Sequence, residues 1–369
     1  MVITSSDYIL QEYDYELPLE RIAQHPAPER DQSRLLVLKT KDGKRAHRQF
    51  KDILDYFRPG DLLVVNATKV FPARLMGHRR TGGKIELFLL GYPAIMASAS
   101  MPSGYQEATA QALIKSSKRP KQGEWLLLSE TLRARVDQNT PDGKVAITLR
   151  YEATGSDALA STLETHGQIP LPPYISRPLG SSTEDSIRYQ TRYARHTGSV
   201  AAPTAGLHFS DAALAALQAK GVHLAHIVLH VGYGTFAPVR CEDIREHAIH
   251  SESVQIPAET ADAVNQTKQR GGRIWAVGTT SVRALEFAAD AQGTIKPITA
   301  DCGLFIYPGF QFRVIDNLIT NFHLPKSSLL FLVSALAGRE AVLDAYREAI
   351  AREYRVFSYG DAMAIITRP

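Results

Sequence analysis

The chain has 369 residues, 44% of them hydrophobic, and this length exceeds what one hydrophobic core usually organises. Its 42 Lys and Arg residues against 38 Asp and Glu residues give a formal net charge of +4, which permits an anionic partner without requiring one. Cys241 and Cys302 have neither a metal-binding nor a disulfide-framework spacing, and no signal peptide or long apolar run occurs. We therefore expect a soluble cytoplasmic chain with two domains and no membrane partner.

The first 70 residues alternate between strand and helix patterns. "RLLVLK" (34–39) predicts a strand, "FKDILDYFRPGD" (50–61) a short helix, and "LLVVNATKV" (62–70) a buried strand. This alternation is typical of an α/β domain.

From residue 71 to 151 the helical period disappears. Short strand patterns are separated by Gly- and Pro-bearing turns, and they are "GKIELFLLGY", "EATAQALIKS", "GEWLLLSETLRARVD" and "GKVAITLRYE". This spacing predicts a small β-barrel or sandwich, and we adopt the barrel. The small-residue stretch "PAIMASASMPSG" (93–104) indicates an exposed loop.

The α/β pattern returns after residue 151. Helix patterns at 157–167, 210–221, 279–290 and 325–338 alternate with strand patterns at 223–234, 273–278 and 317–323. The predicted fold is an α/β main domain with a mixed sheet, interrupted by a small inserted β-barrel domain. Residues 1–70 and 152–369 would form the discontinuous α/β domain, and residues 71–151 the insertion.

Three predicted helices start with small hydroxyl residues directly after an extended segment, near Ser210, Thr279 and Pro325. The unpaired N–H groups of a helix N-terminus favour a phosphate or a carboxylate. Ordinary N-capping is the favoured explanation for any one of these starts, whereas three together are less easily explained by capping alone.

The predicted helix at 325–338 is apolar on nearly every face and too short to span a membrane. We expect it to be buried, with Pro325 in its first turn and Gly338 at its end. Lys326 would then oppose the helix macrodipole. Either an anion lies beside Lys326 and the helix amides, or Lys326 extends into solvent and the serines merely cap the helix.

The histidines lack the spacing of a metal site. His223, His226 and His230 would share a helix face, but this β-branched segment predicts a strand, on which His223 points away from the other two. "HAIHSE" (247–252) contains no strong metal motif, so hydrogen-bonding or proton-transfer roles are favoured. The glycines of "HVGYGTF" lack the rest of a dinucleotide fingerprint and indicate a tight turn.

Six ordered segments carry a family resemblance, namely "NATKVFPARL", "SVAAPTAGLHF", "HVGYGTFAPV", "GTTSVRALE", "TNFHLPKSSLLFLVSALAG" and "YRVFSYGDAM". With "YELPLERIAQHPAPERDQSRLLVL" near the N-terminus, they make nearly the whole chain similar to the S-adenosylmethionine:tRNA ribosyltransferase-isomerase family of queuosine biosynthesis. The visible departure is the stretch "MASASMPSG", which looks longer than the family needs.

The resemblance implies a transferase that uses S-adenosylmethionine as co-substrate and needs no metal. Such an enzyme transfers and isomerises the ribosyl moiety onto 7-aminomethyl-7-deazaguanine at the tRNA wobble position. Adenine and methionine are released, and the product is epoxyqueuosine-tRNA. The chemistry needs a base, an acid and oriented contacts to the methionine carboxylate. The candidates for acid and base are His208, His230, Tyr233 and His323.

The candidates for substrate binding are Asn66, Arg74, Thr279, Thr280, Ser281, Arg283, Glu286, Asn321, Lys326 and Ser327. Arg283 and Glu286, spaced i and i+3 on a predicted helix, either pair with each other or reach toward the substrate. Asn66 and Arg74 either bind the substrate or stabilise the domain junction.

Two basic stretches are candidates for tRNA binding, and their residues are Lys118, Arg119, Lys121, Arg188, Tyr189, Arg192 and Tyr193. Arg interleaved with aromatic residues can contact phosphates and stack on an unstacked base, although many charge runs are simply solvated surface.

Two other classes of protein remain open. An S-adenosylmethionine-dependent tRNA methyltransferase usually has a Gly-rich turn after its first strand, and "LLVVNATKV" has none. A non-catalytic RNA-binding protein would use the basic turns but would not consume S-adenosylmethionine. No long amphipathic stretch remains for a partner, so we expect a monomer.

Overall fold

The structure, a computed structural model, describes residues 3–96, 104–153, 155–236 and 238–369. The β-strands are β1 (Arg34–Lys39), β2 (Arg45–Gln49), β3 (Leu62–Asn66), β4 (Thr68–Val70), β5 (Arg74–Arg79), β6 (Lys84–Leu89), β7 (Ala94–Ile95), β8 (Tyr105–Ser116), β9 (Trp125–Leu127), β10 (Leu132–Asn139), β11 (Val145–Glu152), β12 (Gly167–Gln168), β13 (His196–Ser199), β14 (His223–Leu229), β15 (Glu252–Ile256), β16 (Ile274–Val277), β17 (Ile298–Cys302), β18 (Asn317–Asn321) and β19 (Ala362–Ile366). The α-helices are α1 (Ala158–His166), α2 (Thr183–Arg188), α3 (Asp211–Ala219), α4 (Ala258–Gln269), α5 (Gly278–Phe287), α6 (Ser328–Ala337) and α7 (Arg339–Ala351).

The main sheet has nine strands in the order β17-β15-β14-β3-β16-β18-β19-β1-β2. Its centre is parallel, because β14, β3, β16 and β18 run in one direction. Strand β19 is antiparallel to β18, and antiparallel pairs complete both edges. The prediction of an α/β domain with a mixed sheet is confirmed.

Strand β3 shows why the centre of this sheet is buried on both faces. All five of its residues are buried. Leu62 and Val64 pack into the core layer that contains residues of α5 and α6, whereas Leu63 and Val65 pack into the opposite layer with Leu217 of α3. Successive side chains of a strand point to opposite faces, so a continuous apolar run suits a strand covered on both sides.

The second body is a closed barrel of six strands in the order β11-β10-β9-β5-β6-β8, and pairing of β11 with β8 closes it. Inward-facing residues such as Leu75, Leu87 and Ile147 form a core of their own. The predicted inserted β-barrel is therefore confirmed. Helix α1 also packs Leu159 and Leu163 into this core, although both residues follow the predicted boundary at 151.

Three local expectations differ from the structure. The short helix predicted within 50–61 is a 3-10 helix that ends at residue 56. In the predicted loop at 93–104, Ala94–Ile95 pairs with β8, while residues 97–103 lie outside the described residues. The apolar helix α6 is buried as expected and ends at Ala337 with Gly338 as its C-cap, but it starts at Ser328, so Pro325 and Lys326 precede it. Within the described ranges no helix is long and apolar enough to cross a membrane.

Candidate active site

A cleft, here called the first cleft, opens at the carboxyl ends of the central parallel strands. Gly278, Thr279 and Thr280 follow β16, Asn321 ends β18, and His323 lies two residues further on. Segments 202–205 and 357–358 provide further walls. Ligands of open α/β sheets bind at this edge, where loops from neighbouring strands converge.

The first cleft is polar without being charged. Among the described residues that line it there is no Asp, Glu, Lys or Arg, and its polar groups include Thr320, Asn321 and Ser358. Burial lowers the pKa of His323, its one histidine, from 6.5 to about 3. At neutral pH the cleft therefore suits an uncharged polar ligand, because no opposite charge would offset the desolvation of an ionic one.

His323 is held from three directions. Its backbone N–H donates to the Tyr346 hydroxyl at 3.0 Å, and its backbone carbonyl accepts a hydrogen bond from Tyr15. On the ring, Nε2 lies 2.8 Å from Thr320 Oγ1, while Nδ1 has no hydrogen-bond partner among the described residues. Since the side chain is 8% exposed and lines the cleft, Nδ1 is the ring atom left for a ligand.

His208 occupies a structural position. The Asn321 amide donates to Nε2 at 3.0 Å, so the ring proton resides on Nδ1 and donates to Ser33 Oγ at 2.7 Å. The ring also stacks on Phe50, and burial lowers its pKa to about 3. Both nitrogens are engaged and the residue does not line the first cleft, so this geometry does not support a proton-transfer role for His208.

Two further candidates for acid or base remain, His230 and Tyr233. Neither lines the first cleft or the second cleft that adjoins it. His230 Nδ1 lies 2.8 Å from Thr68 Oγ1, and burial lowers its pKa. Tyr233 is 53% exposed and packs edge-on against Phe88 of the barrel, with ring centroids 5.5 Å apart. Tyr233 therefore lies between the two domains, whereas His230 lies against β4.

A second cleft adjoins the first and shares Thr235, Thr279, Thr280 and Leu329 with it. Its walls also include His247, His250, Glu252 and Arg283. Burial, and then repulsion by His250, lowers the pKa of His247. Unlike the first cleft, this one contains a buried ion pair.

That ion pair decides between the two alternatives that helix spacing left open for Arg283 and Glu286, because the two residues do not pair with each other. Arg283 pairs with Glu252 of β15, not with Glu286. Glu252 Oε1 also accepts hydrogen bonds from Gly232 N at 2.9 Å and Thr235 Oγ1 at 3.0 Å, and thereby holds the 232–235 turn. Glu286 instead accepts the backbone N–H groups of residues 313–315, and burial raises its pKa.

Asn66 and Arg74 occupy junction positions. The Asn66 amide donates to Leu229 O at 2.9 Å and lies 3.3 Å from Thr280 Oγ1, so it connects β3, β14 and α5. Arg74 makes two hydrogen bonds to Glu86 within the barrel, at 2.8 and 3.1 Å. Both side chains are satisfied by the protein, which favours the structural alternative for each.

The residues before α6 also differ from expectation. Ser327 is the N-cap of the helix, and its Oγ accepts from Leu330 N. Lys326 has a left-handed backbone with φ 54, donates its N–H to Tyr13 O at 3.0 Å, and places Nζ 2.7 Å from an Asp14 carboxylate oxygen. The expected opposition between Lys326 and the helix macrodipole is wrong, because the lysine lies outside the helix and its charge is paired.

The predicted tRNA-binding residues separate into two groups. Lys118, Arg119 and Lys121 are exposed on the connection between β8 and β9, and the Arg119 guanidinium also donates to Asn139 Oδ1 and Thr140 O. Tyr189 and Tyr193 are buried, so the geometry does not support stacking of their rings on an extruded base. The adjacent arginines are engaged, since Arg188 donates to two backbone carbonyls and Arg192 pairs with Asp211.

Sequence reasoning missed Tyr15, Ser33, Thr320 and Tyr346, which hold the two buried histidines. Thr320 has a local signal, because it lies three residues before His323 in the same motif. The other three come from distant segments. No cluster of three His, Cys, Asp or Glu side chains that could hold a metal occurs in the part of the chain described.

Fold and site together define an α/β protein with an inserted six-stranded β-barrel and an uncharged polar cleft at the carboxyl ends of its central strands. Residues 10–365 match the protein family described as Queuosine biosynthesis protein. The chain belongs to this family, and the predicted resemblance is confirmed.

Named relatives are similar to this chain over nearly its full length. The S-adenosylmethionine:tRNA ribosyltransferase-isomerase of Desulfotalea psychrophila is 52% identical over 362 residues, which cover 98% of this chain and 99% of the relative. The enzyme of that name from Nitratidesulfovibrio vulgaris is 49% identical over 371 residues, covering 98% of both chains. The crystal structure of S-adenosylmethionine tRNA ribosyltransferase from Thermotoga maritima is 36% identical, with a TM-score of 0.53 over 96% of this chain and 100% of its own.

Proposed function

We propose that this chain transfers and isomerises the ribosyl moiety of S-adenosylmethionine onto 7-aminomethyl-7-deazaguanine at the tRNA wobble position. The product is epoxyqueuosine-tRNA, and adenine and methionine are released. The observation that carries this proposal is the 52% identity, over 98% of the chain, to a relative named S-adenosylmethionine:tRNA ribosyltransferase-isomerase. The likeness includes both domains.

The first cleft supports a nucleoside as ligand. Its lining is free of formal charge, and adenine and ribose are likewise uncharged at neutral pH. The Asn321 amide already donates to His208 Nε2 and Phe357 O, so hydroxyl groups of the lining, such as those of Thr279 and Thr320, are the donors and acceptors left for such a ligand. In the proposed reaction S-adenosylmethionine is a co-substrate that is consumed, and no metal cofactor takes part.

His323 is the proposed proton carrier of the reaction. In the tautomer that keeps the ring proton on Nε2, this nitrogen donates to Thr320 Oγ1 and leaves Nδ1 as an acceptor. Nδ1 removes the proton from the carbon beside the sulfonium, and the imidazolium then gives that proton to the departing adenine. The low pKa, about 3, favours the second transfer and makes His323 a weak base for the first. Orientation in the cleft must therefore contribute much of the rate.

The β-barrel is the proposed contact surface for tRNA. Lys118, Arg119 and Lys121 are exposed on one of its connections, where they can meet backbone phosphates. The contact of Phe88 with Tyr233 joins the barrel to the turn that also borders the second cleft through Thr235. A base extruded from an anticodon loop would enter between the two domains.

Product analysis tests the proposal. The chain is incubated with S-adenosylmethionine and tRNA carrying 7-aminomethyl-7-deazaguanine, and the small molecules and digested nucleosides are identified by mass spectrometry. Free adenine and methionine together with epoxyqueuosine are expected. Formation of S-adenosylhomocysteine would instead establish a methyltransferase, and tRNA binding without consumption of S-adenosylmethionine would establish a non-catalytic RNA-binding protein.

The proposed setting is the cytoplasm, and the proposed state is a monomer. Cys241 and Cys302 are both free thiols, which agrees with a reducing compartment. Sedimentation at micromolar concentration is expected to give a single species of about the chain mass of 40.7 kDa. A stable dimer would contradict the monomer.

A further inference from the structure

The three helix N-termini predicted as anion sites differ in how their N–H groups are satisfied. Ser210 caps α3 by accepting from Ala213 N at 3.0 Å, and Ser327 caps α6 by accepting from Leu330 N at 3.3 Å. Helix α5 has no side-chain cap, and its first residue, Gly278, has a positive φ of 81. Its first-turn N–H groups are therefore not satisfied by a capping side chain.

A separate observation points to a ligand at this position. Thr279 is only 7% exposed, yet it lines both clefts, and its Oγ1 has no hydrogen-bond partner among the residues that the structure describes. The Thr279 hydroxyl is not among the described side-chain atoms that are both fully buried and unpartnered, so it is open to the clefts and to a ligand there. The neighbouring hydroxyls are engaged, because Thr280 Oγ1 lies 3.3 Å from the Asn66 amide and Ser281 Oγ donates to Val277 O at 2.7 Å.

The two clefts differ in charge, so each suits a different part of one ligand. Arg283 and Glu252 are buried in the wall of the second cleft. Arg283 donates to Leu304 O, Glu252 and Cys302 O, which uses three of the five guanidinium N–H groups and leaves two. An adjoining carboxylate and ammonium would suit this pair, whereas the uncharged first cleft suits neither.

We propose that the N-terminus of α5, with Thr279 Oγ1 and Arg283, binds the α-carboxylate of the amino-acid part of S-adenosylmethionine. The ligand then spans both clefts, with its nucleoside in the first and its zwitterionic end in the second. The shared residues Thr279 and Thr280 lie at the passage between them. This assignment rests on the proposed function, because it takes S-adenosylmethionine as the ligand.

Calorimetric binding of two ligands to three variants tests the assignment. The ligands are S-adenosylmethionine and its decarboxylated analogue, which keeps the nucleoside, the sulfonium and the ammonium. Wild-type protein is expected to bind S-adenosylmethionine about 10-fold or more tightly than the analogue, since hydrogen bonds to a charged group are strong. Thr279→Val should lose most of that preference by weakening only S-adenosylmethionine, and Thr279→Ser should restore it.

Thr191→Val is the matched control. Thr191 is also a buried threonine with an unpartnered hydroxyl, but it lines neither cleft. The Thr191→Val variant should keep the wild-type preference for S-adenosylmethionine over the decarboxylated analogue. Equal affinity of wild-type protein for the two ligands, or an equal loss for both in Thr279→Val, would overturn the carboxylate site while leaving the proposed function intact. Absence of any binding of S-adenosylmethionine to the wild-type protein would overturn the proposed function as well.

Discussion

The Tyr15 hydroxyl donates a hydrogen bond to the backbone carbonyl of His323, a residue 308 positions away in the chain. Both groups are buried, and the Tyr346 hydroxyl accepts the backbone N–H of the same histidine. The N-terminal segment therefore helps to hold the proposed catalytic ring.

Tyr15→Phe removes this hydrogen bond and keeps the aromatic ring of residue 15. We expect kcat to fall roughly 10-fold, because small displacements of a reacting group are costly, while KM for S-adenosylmethionine changes little. The buried carbonyl left without its donor should cost about 1–3 kcal/mol of stability. Tyr151→Phe, which removes a hydroxyl bonded to Gln106 in the barrel, is the control for lost stability alone. A normal kcat in Tyr15→Phe would contradict the positioning role.

His323→Gln and His208→Gln separate proton transfer from structure. His323 leaves Nδ1 available to a ligand, so its replacement should reduce kcat by about 10²–10⁴-fold with a modest change in melting temperature. His208 has both nitrogens engaged, so its replacement should lower the melting temperature more than it lowers kcat. Steady-state kinetics and thermal melts measure both variants, and the reverse ranking would refute the assignment.

The two buried histidines also predict how stability depends on pH. Their folded pKa values are about 3, against 6.5 for an ordinary histidine, so the unfolded chain binds more protons between these values. Stability from these groups is present above pH 6.5 and is lost as the pH falls toward 3, by about 2 kcal/mol for each histidine at pH 5. Urea melts measure the free energy of unfolding at pH 7 and at pH 5. The decrease from pH 7 to pH 5 should be about 2 kcal/mol smaller in His208→Gln than in the wild type. Identical losses in the variant and the wild type would show that His208 is not held neutral.

Lys326→Met tests whether the lysine before α6 binds an anion. Because Nζ pairs with Asp14 at the surface, its loss should cost at most about 1 kcal/mol, with normal turnover and an unchanged KM for S-adenosylmethionine. Thermal melts and kinetics provide the measurements. A severe fall in turnover at an unchanged melting temperature would instead favour an anion beside Lys326.

Combined replacement of Lys118, Arg119 and Lys121 by Ala tests the barrel surface. Each lost phosphate contact should reduce the slope of log affinity for tRNA against log salt concentration by about 0.7–0.9. Replacing the exposed Lys41, Lys44 and Lys51 of the α/β domain removes the same charge and should leave the slope as in wild type. Equal slopes in all three proteins would assign Lys118, Arg119 and Lys121 to an ordinary solvated turn.

The sequence by itself determined the elements and their order. The apolar run "LLVV" predicts a strand covered on both faces, and β3 is such a strand. The loss of helical period after residue 71 predicts the barrel, and the apolar pattern after Ser327 predicts buried α6. These features depend on the periodic placement of apolar residues, which is local information.

Only the tertiary structure decided which polar groups meet. Helix spacing allows Arg283 to pair with Glu286, but the fold brings Glu252 to Arg283 and the 313–315 backbone to Glu286. Likewise, the alternation of Tyr189 and Tyr193 with arginines predicts an exposed basic and aromatic surface, but both tyrosines are buried. Lys326 pairs with Asp14, which lies far from it in the chain. A buried donor or charge takes whichever partner the packed chain places within about 3 Å, and no local period encodes a partner that comes from a distant segment.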